Sequence, residues 1–362
     1  MRQQILDLLL IPSIFLLFWS CANNREKYGE INYERCFYLQ ENIDFCGNLN
    51  SFCFLDESHL VVSTKENPSV FVYDEMGKQI LQIFQRGNGP FEYINPAIVR
   101  CDKDRKIYVW CSELLKMIVF DENGNPQNEF RFNRAVKDFL VYRDFVFMYL
   151  AGGFDSVVEV YNISSSKILT SIGDATEEHK LLSINDSAGG IALLNQSIIF
   201  TGADGLDFNL CNIRNNSTNV EVITHRTKDL ESFKKEPLKG ITTVSLMNND
   251  RSKAIDYISR NSVINGLFVT DNNVIVKAKS GTVKIKNEGI IDNSRYDNFY
   301  FFDKELNYLF EQDNFWKTND FLVYDNLYAT DGKDIYFIAV SRNSGEENQY
   351  SLNRLLFSKP IK

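Results

Sequence analysis

SVFVYDEMGKQILQIF, from Ser69 to Phe84, carries two apolar-rich runs on either side of a turn at Asp74 to Gly77. KMIVFDENGNPQNEFRF, from Lys116 to Phe132, repeats that plan around Asp121 to Gly124. Asp, Asn and Gly suit the turn because Gly accepts positive φ and an Asx side chain bonds the backbone just ahead of it. Each segment therefore predicts a β-hairpin. Working outward, the plan recurs in VVEVYNISSSKILTSI (Val157 to Ile172), FNLCNIRNNSTNVEVI (Phe208 to Ile223) and NFYFFDKELNYLFEQ (Asn298 to Gln312).

Short strands precede these hairpins at SHLVVST (Ser58 to Thr64), DRKIYVWC (Asp104 to Cys111), RDFVFMYL (Arg143 to Leu150), QSIIFTG (Gln196 to Gly202), NNVIVKA (Asn272 to Ala278) and KDIYFIAV (Lys333 to Val340). Four antiparallel strands recurring every ~40 to 45 residues describe propeller blades. The series implies an all-β chain: a six-bladed β-propeller of four-stranded antiparallel blades over residues 31–362. The run from Tyr350 to Phe357 finishes the sixth blade, and INYERCFYL (Ile31 to Leu39) is positioned to clasp the ring shut. A two-sheet sandwich or a pair of all-β domains is the alternative packing of the same strands.

Composition agrees with strands. The 362 residues include 28 Phe, 17 Tyr and 3 Trp but only 7 Pro, and aromatic side chains fit a pleated, half-buried surface. Phe71, Tyr73, Tyr108, Trp110, Phe120, Phe145, Phe147, Phe301 and Phe302 recur at matching strand positions, as packing between blades would require. The formal charge of −9 argues against nucleic acid as a partner. Rhythm breaks between His225 and Arg260, where HRTKDLESFKKEPLKG forms a charged insertion. A helix is expected from Thr227 to Lys235, stopped by Pro237, and a second from Ser252 to Ser259. A smaller excursion runs from Asp174 to Asp186.

The N-terminus, MRQQILDLLLIPSIFLLFWSC, has Arg2, then an apolar stretch from Leu8 to Trp19, then Ser20 and Cys21. That is the layout of a secretory signal over residues 1–20, and it is too short for a transmembrane helix, which needs ~20 apolar residues. Phe18-Trp19-Ser20-Cys21 resembles a bacterial lipobox, with Phe18 where Leu is usual and Trp19 where a small residue is usual. The resemblance implies diacylglyceryl attachment at Cys21, a lipidated tether over 21–30, and a membrane partner through that N-terminal lipid anchor. A plain signal peptide with an incidental cysteine is the other reading. Of the remaining cysteines, Cys36, Cys46, Cys53, Cys101, Cys111 and Cys211, most read as small buried hydrophobes in strands. A Cys36 to Cys46 or Cys101 to Cys111 bridge is the alternative.

RGNGPFEY, from Arg86 to Tyr93, resembles the G-x-GPGE-[YF] signature of exported six-bladed propellers related to the NHL and TolB-like groups, abundant as lipoproteins in Bacteroidetes. Phe91 stands where that signature has Gly. The resemblance implies a lipid-anchored propeller in the cell envelope, at the outer membrane facing the periplasm or the cell surface. It carries no assigned activity. Propellers commonly take ligands where inter-blade loops converge on the central channel, and Arg86, Asn88, Glu92 and Tyr93 are the candidates by position, alongside the reading that they brace the connector.

No G-x-S-x-G elbow, H-E-x-x-H helix or P-loop occurs. Neither a cofactor nor a metal site is indicated. His59, His179 and His225 lie in different repeats and read as solvent-facing loop residues; the Glu177-Glu178 and Glu346-Glu347 pairs read as solvated. Two functions remain. One is a non-catalytic module binding a protein, peptide or glycan; the other is an envelope hydrolase or lyase acting on a glycan or peptide at the channel, with acid and base from separate blades.

Overall fold

The computed structural model describes residues 31–40, 48–65, 67–184, 189–213, 220–238, 242–243, 251–280, 284–285, 291–292, 296–314, 321–341 and 349–357. The first described strand is β1 (Asn32–Tyr38), which is set aside for the end of the ring. Blade 1 follows as β2 (Leu49–Asp56), β3 (His59–Thr64), β4 (Val70–Tyr73) and β5 (Gln79–Ile83). Blade 2 is β6 (Pro96–Cys101), β7 (Ile107–Cys111), β8 (Lys116–Phe120) and β9 (Pro126–Arg131). Blade 3 is β10 (Val136–Tyr142), β11 (Phe145–Leu150), β12 (Ser156–Asn162) and β13 (Lys167–Asp174). Helix α1 (Glu177–Leu182) leads to blade 4: β14 (Gly190–Leu194), β15 (Ser197–Thr201), β16 (Phe208–Ile213) and β17 (Val220–His225).

Helix α2 (Arg251–Arg260) precedes blade 5, made of β18 (Val263–Val269), β19 (Val274–Ser280), β22 (Tyr296–Phe302) and β23 (Tyr308–Asn314). A small side hairpin, β20 (Lys284–Ile285) with β21 (Ile291–Asp292), sits within it. Blade 6 takes β24 (Phe321–Thr330), β25 (Ile335–Ser341) and β26 (Gln349–Leu356) from the C-terminal end and its fourth, outermost strand from β1. Asn32 lies opposite Leu356 and Tyr38 opposite Ser351. The expected clasp is therefore made. Arg354 reinforces it by pairing with Glu34 of β1 and, at 3.3 Å, with Asp334. The six innermost strands, β2, β6, β10, β14, β18 and β24, pack each against the next around the ring.

Each gap between blades holds its own apolar core. Tyr108 and Trp110 of β7 face blade 3, while Ile107, Val109 and Cys111 of the same strand face blade 1. In β11, Val146, Met148 and Leu150 turn toward blade 2 and Phe145, Phe147 and Tyr149 toward blade 4. Central strands thus bury both faces, which is why they read as continuous apolar runs rather than simple alternation. All nine recurring aromatics are buried in these inter-blade cores.

Four of the hairpin turns share one device. The carboxylates of Asp74, Asp102, Asp121 and Asp303 each accept the backbone N–H groups two and four residues ahead, at 2.8 to 3.0 Å. These bonds, with those from the Asn125 and Asn307 side chains foremost, hold Asp121 and Asp303 below the usual carboxylate range. The residue three ahead has positive φ every time: Gly77 (74°), Arg105 (61°), Gly124 (80°) and Leu306 (69°).

Two features depart from the reading of the sequence. Residues 227–235 form no helix: Lys234 N–H bonds the Ser262 hydroxyl (3.0 Å), Lys234 C=O accepts from Ser262 N–H (2.8 Å), and Glu236 N–H bonds Asn261. Those partners satisfy the backbone that a helical ladder would have claimed, and Phe233 drops into the core between blades 4 and 5. The second departure is His179, which is buried on α1 rather than facing solvent. The Thr176 hydroxyl caps this helix by accepting from His179 N–H, and the imidazole Nδ1 accepts from Ala203 N–H at 3.0 Å. Helix α2 forms as expected, packing Ala254, Tyr257 and Ile258 against Leu181 and Leu182 of α1. Glu177 and Glu178 are not idle: they accept the backbone N–H groups of Thr243 and Leu238.

Candidate functional site

All six innermost strands contribute to one cavity of about 580 Å³ along the ring axis. Its polar groups come from strands that the fold alone brings together. On β6, the Arg100 guanidinium donates to the Ser51 hydroxyl of β2 (3.2 Å) and to Val99 C=O (2.8 Å), and it pairs with Asp138 of β10 at 2.5 Å. Burial pushes the Asp138 carboxyl above its ordinary value, although Arg100 and the Phe139 N–H oppose that shift. A neutralised, hydrogen-bonded ion pair thus spans blades 1 to 3.

Across the ring, Asn265 of β18 lines the same cavity. Its Oδ1 accepts from the fully buried Lys277 ammonium at 3.1 Å, which orients the amide because an ammonium only donates. Lys277 in turn pairs with Asp297 (3.1 Å) and lies 4.4 Å from the centre of the Tyr328 ring, whose hydroxyl donates to Asp297. Asn265 Nδ2 is buried and has no hydrogen-bond partner among the described residues. Leaving a buried donor unmade costs about 1 to 3 kcal/mol, so such a group is normally met by water or a ligand. Asn265 therefore places an unmet donor at the cavity wall, among groups that are otherwise paired.

The residues singled out in the connector lie elsewhere. Glu92 accepts from Gly89 N–H at 2.7 Å and fills the space at Gly87, where a Cβ would come within 2.0 Å of its carboxylate. Tyr93 is fully buried and donates its hydroxyl to Ile83 C=O at 2.5 Å, and burial raises its pKa. Arg86 bridges to Tyr93 through backbone pairing and is exposed, as is Asn88. None of the four is among the residues lining the cavity. Phe91, at φ 59°, adopts the left-handed backbone that glycine takes freely, and it packs against the core between blades 1 and 2. Its N–H donates to Glu129, which also receives the fully buried Lys116 ammonium at 3.0 Å; Lys116 donates further to Gly89 C=O at 2.8 Å.

Cys101 and Cys111 are free thiols and sit at opposite ends of the β6–β7 ladder, opposite Ile107 and Pro96, which excludes the bridge considered between them. Cys36 is free as well. Cys21, Cys46, Glu346 and Glu347 lie outside the described residues. Among the described residues, no group of three or more His, Cys, Asp or Glu side chains is arranged to hold a metal ion, and no helix is long and apolar enough to cross a membrane.

Comparison with known proteins agrees with this geometry. A family model described as a six-bladed β-propeller, DUF5128, matches residues 43–201. Among solved structures, a protein of Bacteroides fragilis described as exported superposes with a TM-score of 0.63 at 14% identity, covering 93% of this chain and 98% of that one. A DUF4221 family member from Bacteroides vulgatus superposes with a TM-score of 0.66 at 9% identity, covering 92% of this chain and 99% of that one. At such identities the likeness speaks to the fold. No curated protein matches the chain.

Proposed function

We propose that this propeller is a non-catalytic binding module, held at an envelope membrane by a lipid on Cys21, that takes a peptide or glycan through an oxygen acceptor at the central cavity. The observation carrying the reading is the buried Asn265 Nδ2, a donor with its orientation set by Lys277 and no partner among the described residues. Sugars and peptide carbonyls both present suitable acceptors, and recognition by a few placed polar groups in a concave site is how small-ligand pockets gain specificity. Asp138 is fixed in the cavity wall by Arg100 and the Phe139 N–H, which both bond one of its oxygens, as a positioned wall group in a binding site would be. Arg86 and Asn88, exposed on the connector, are assigned to contact with a larger partner that covers that part of the ring. A relationship to TolB-like and NHL-like lipoproteins fits the connector motif and the lipobox.

The test is a thermal-shift panel of oligosaccharides and short peptides against the mature chain and Asn265→Ala, since a ligand that binds only the folded state raises its apparent stability. A hit should raise the wild-type melting temperature and leave that of the variant unmoved. A hit that stabilises both equally places binding away from Asn265. Separately, Cys21→Ala should lose incorporated fatty acid and leave the membrane fraction.

A further inference from the structure

Cys53 of β2 and Cys101 of β6 bring their sulfurs to 3.2 Å across the gap between the innermost strands of blades 1 and 2. Both residues line the central cavity. They are 48 positions apart in sequence and belong to different blades, so no local turn makes them neighbours; the packing of two inner strands does. We propose that Cys53 and Cys101 form an inter-blade disulfide that fastens β2 to β6 at the channel wall.

Forming the bond requires the sulfurs to close by about 1 Å from contact to the S–S bond length. The oxidant is a disulfide of the thiol–disulfide exchange class, such as oxidised glutathione. One cysteine thiolate attacks an oxidant sulfur, forming a mixed disulfide and expelling one thiolate. The second cysteine thiolate then attacks the protein sulfur of that mixed disulfide and expels the other. Two S–H bonds are lost and one S–S bond is gained; the two electrons and two protons end on the oxidant as two free thiols. Burial and the neighbouring Cys53 thiol both raise the Cys101 pKa, which slows attack in the finished ring at neutral pH and favours formation as blades 1 and 2 first meet or under alkaline conditions.

The bond would act on the cavity through its neighbours. Arg100, adjacent to Cys101, already reaches over to Ser51, two residues from Cys53. A covalent link at this point holds the Arg100–Ser51 contact in register and so steadies the guanidinium that pairs with Asp138. Closing a loop of this length also restricts the unfolded chain, the source of most disulfide stabilisation in the chain-entropy account.

The experiment is to unfold the full chain under reducing conditions, refold it in a glutathione redox buffer, block free thiols by alkylation in denaturant, digest without reductant and map cross-linked peptides by mass spectrometry. The expected product joins the segments containing Cys53 and Cys101 and is lighter than the two thiol peptides by two hydrogens. The oxidised wild type should also melt several degrees above its reduced form, whereas Cys53→Ser should melt alike in both. Recovery of Cys53 and Cys101 as alkylated thiols, or a dominant cross-link from either to Cys46, Cys111 or Cys211, overturns the proposal. The peptide map needs only the wild-type protein, so it decides the matter even if Cys53→Ser fails to fold, and it is indifferent to whether the cavity binds a ligand.

Discussion

Among the described residues two lysines are completely buried, and each is paired with a carboxylate, but they serve their surroundings differently. Lys116 finishes a closed set: it holds Gly89 C=O and Glu129, Glu129 holds Phe91 N–H, and Glu92 holds Gly89 N–H. Lys277 finishes one side of an amide, whose other side, Asn265 Nδ2, has no partner among the described residues. The first arrangement fixes a connector; the second prepares a wall. Polar density alone does not mark a binding site, because the connector is as polar as the channel. What separates them is whether the hydrogen-bonding capacity has been used up.

Breaking the closed set should have the largest effect. Lys116→Met leaves Glu129 with Arg131 and the Phe91 N–H but without its buried ammonium, and Gly89 C=O with only the longer bond from Glu92 N–H, so the loss should be about 2 to 3 kcal/mol, the upper range for a hydrogen bond to a charged group. Urea unfolding should show that loss while any ligand shift at the cavity survives; loss of the ligand shift with stability intact would reverse the assignment of the two regions. Asn265→Ala should invert the pattern, costing about 1 to 2 kcal/mol, since it takes one acceptor from the Lys277 ammonium, which keeps Asp297, and removes one unmet donor, while abolishing the ligand-induced shift. Phe91→Gly sharpens the connector side. It relieves a left-handed backbone worth roughly 1 to 2 kcal/mol but gives up packing of similar size, so the net change read in urea should stay within about 1 kcal/mol.

The smallest effect belongs to His179, which lies in neither region and serves as a control. Burial lowers its pKa, Lys180 adds to this, and Asp204 opposes it. The unfolded chain then binds more protons than the folded one, so stability is full above the unfolded histidine value near pH 6.5 and falls as pH drops through the depressed folded value. His179→Gln should flatten that acid-side slope in melting temperature against pH without touching the difference between Lys116 and Lys277. An unchanged slope would show that the imidazole is not the group being titrated.

The blades were legible because their signals are local: an aspartate that bonds two residues and four residues ahead, and strands apolar on both faces. Even there the signal thinned where Arg105 and Leu306 take the left-handed position held by Gly77 and Gly124 elsewhere, since nothing in an arginine or leucine announces positive φ. The channel wall was not legible. Arg100, Asp138 and Asn265 sit on three blades, and only the ring puts them around one cavity. RGNGPFEY stood out precisely because its glycines and proline are local signals, which is also why it described a connector. Residues 227–235 misled for a related reason: Leu230 and Phe233 have helical spacing, but distant partners at Asn261 and Ser262 took the backbone groups that a helix needs.

The pairing of β1 with β26 also sets an order of events. These strands are separated by about 300 residues, so the clasp is among the most non-local contacts the chain can make, and such contacts form late. Five blades have all their strands before β26 arrives, and blade 6 alone must wait for both ends of the chain. Until they meet, β26 presents an open row of backbone donors and acceptors that the β1 segment of a second copy fits as well as its own. Refolding at high concentration therefore sets closure within one chain against strand exchange between two, and the outcome turns on how fast the N-terminal segment finds its own ring.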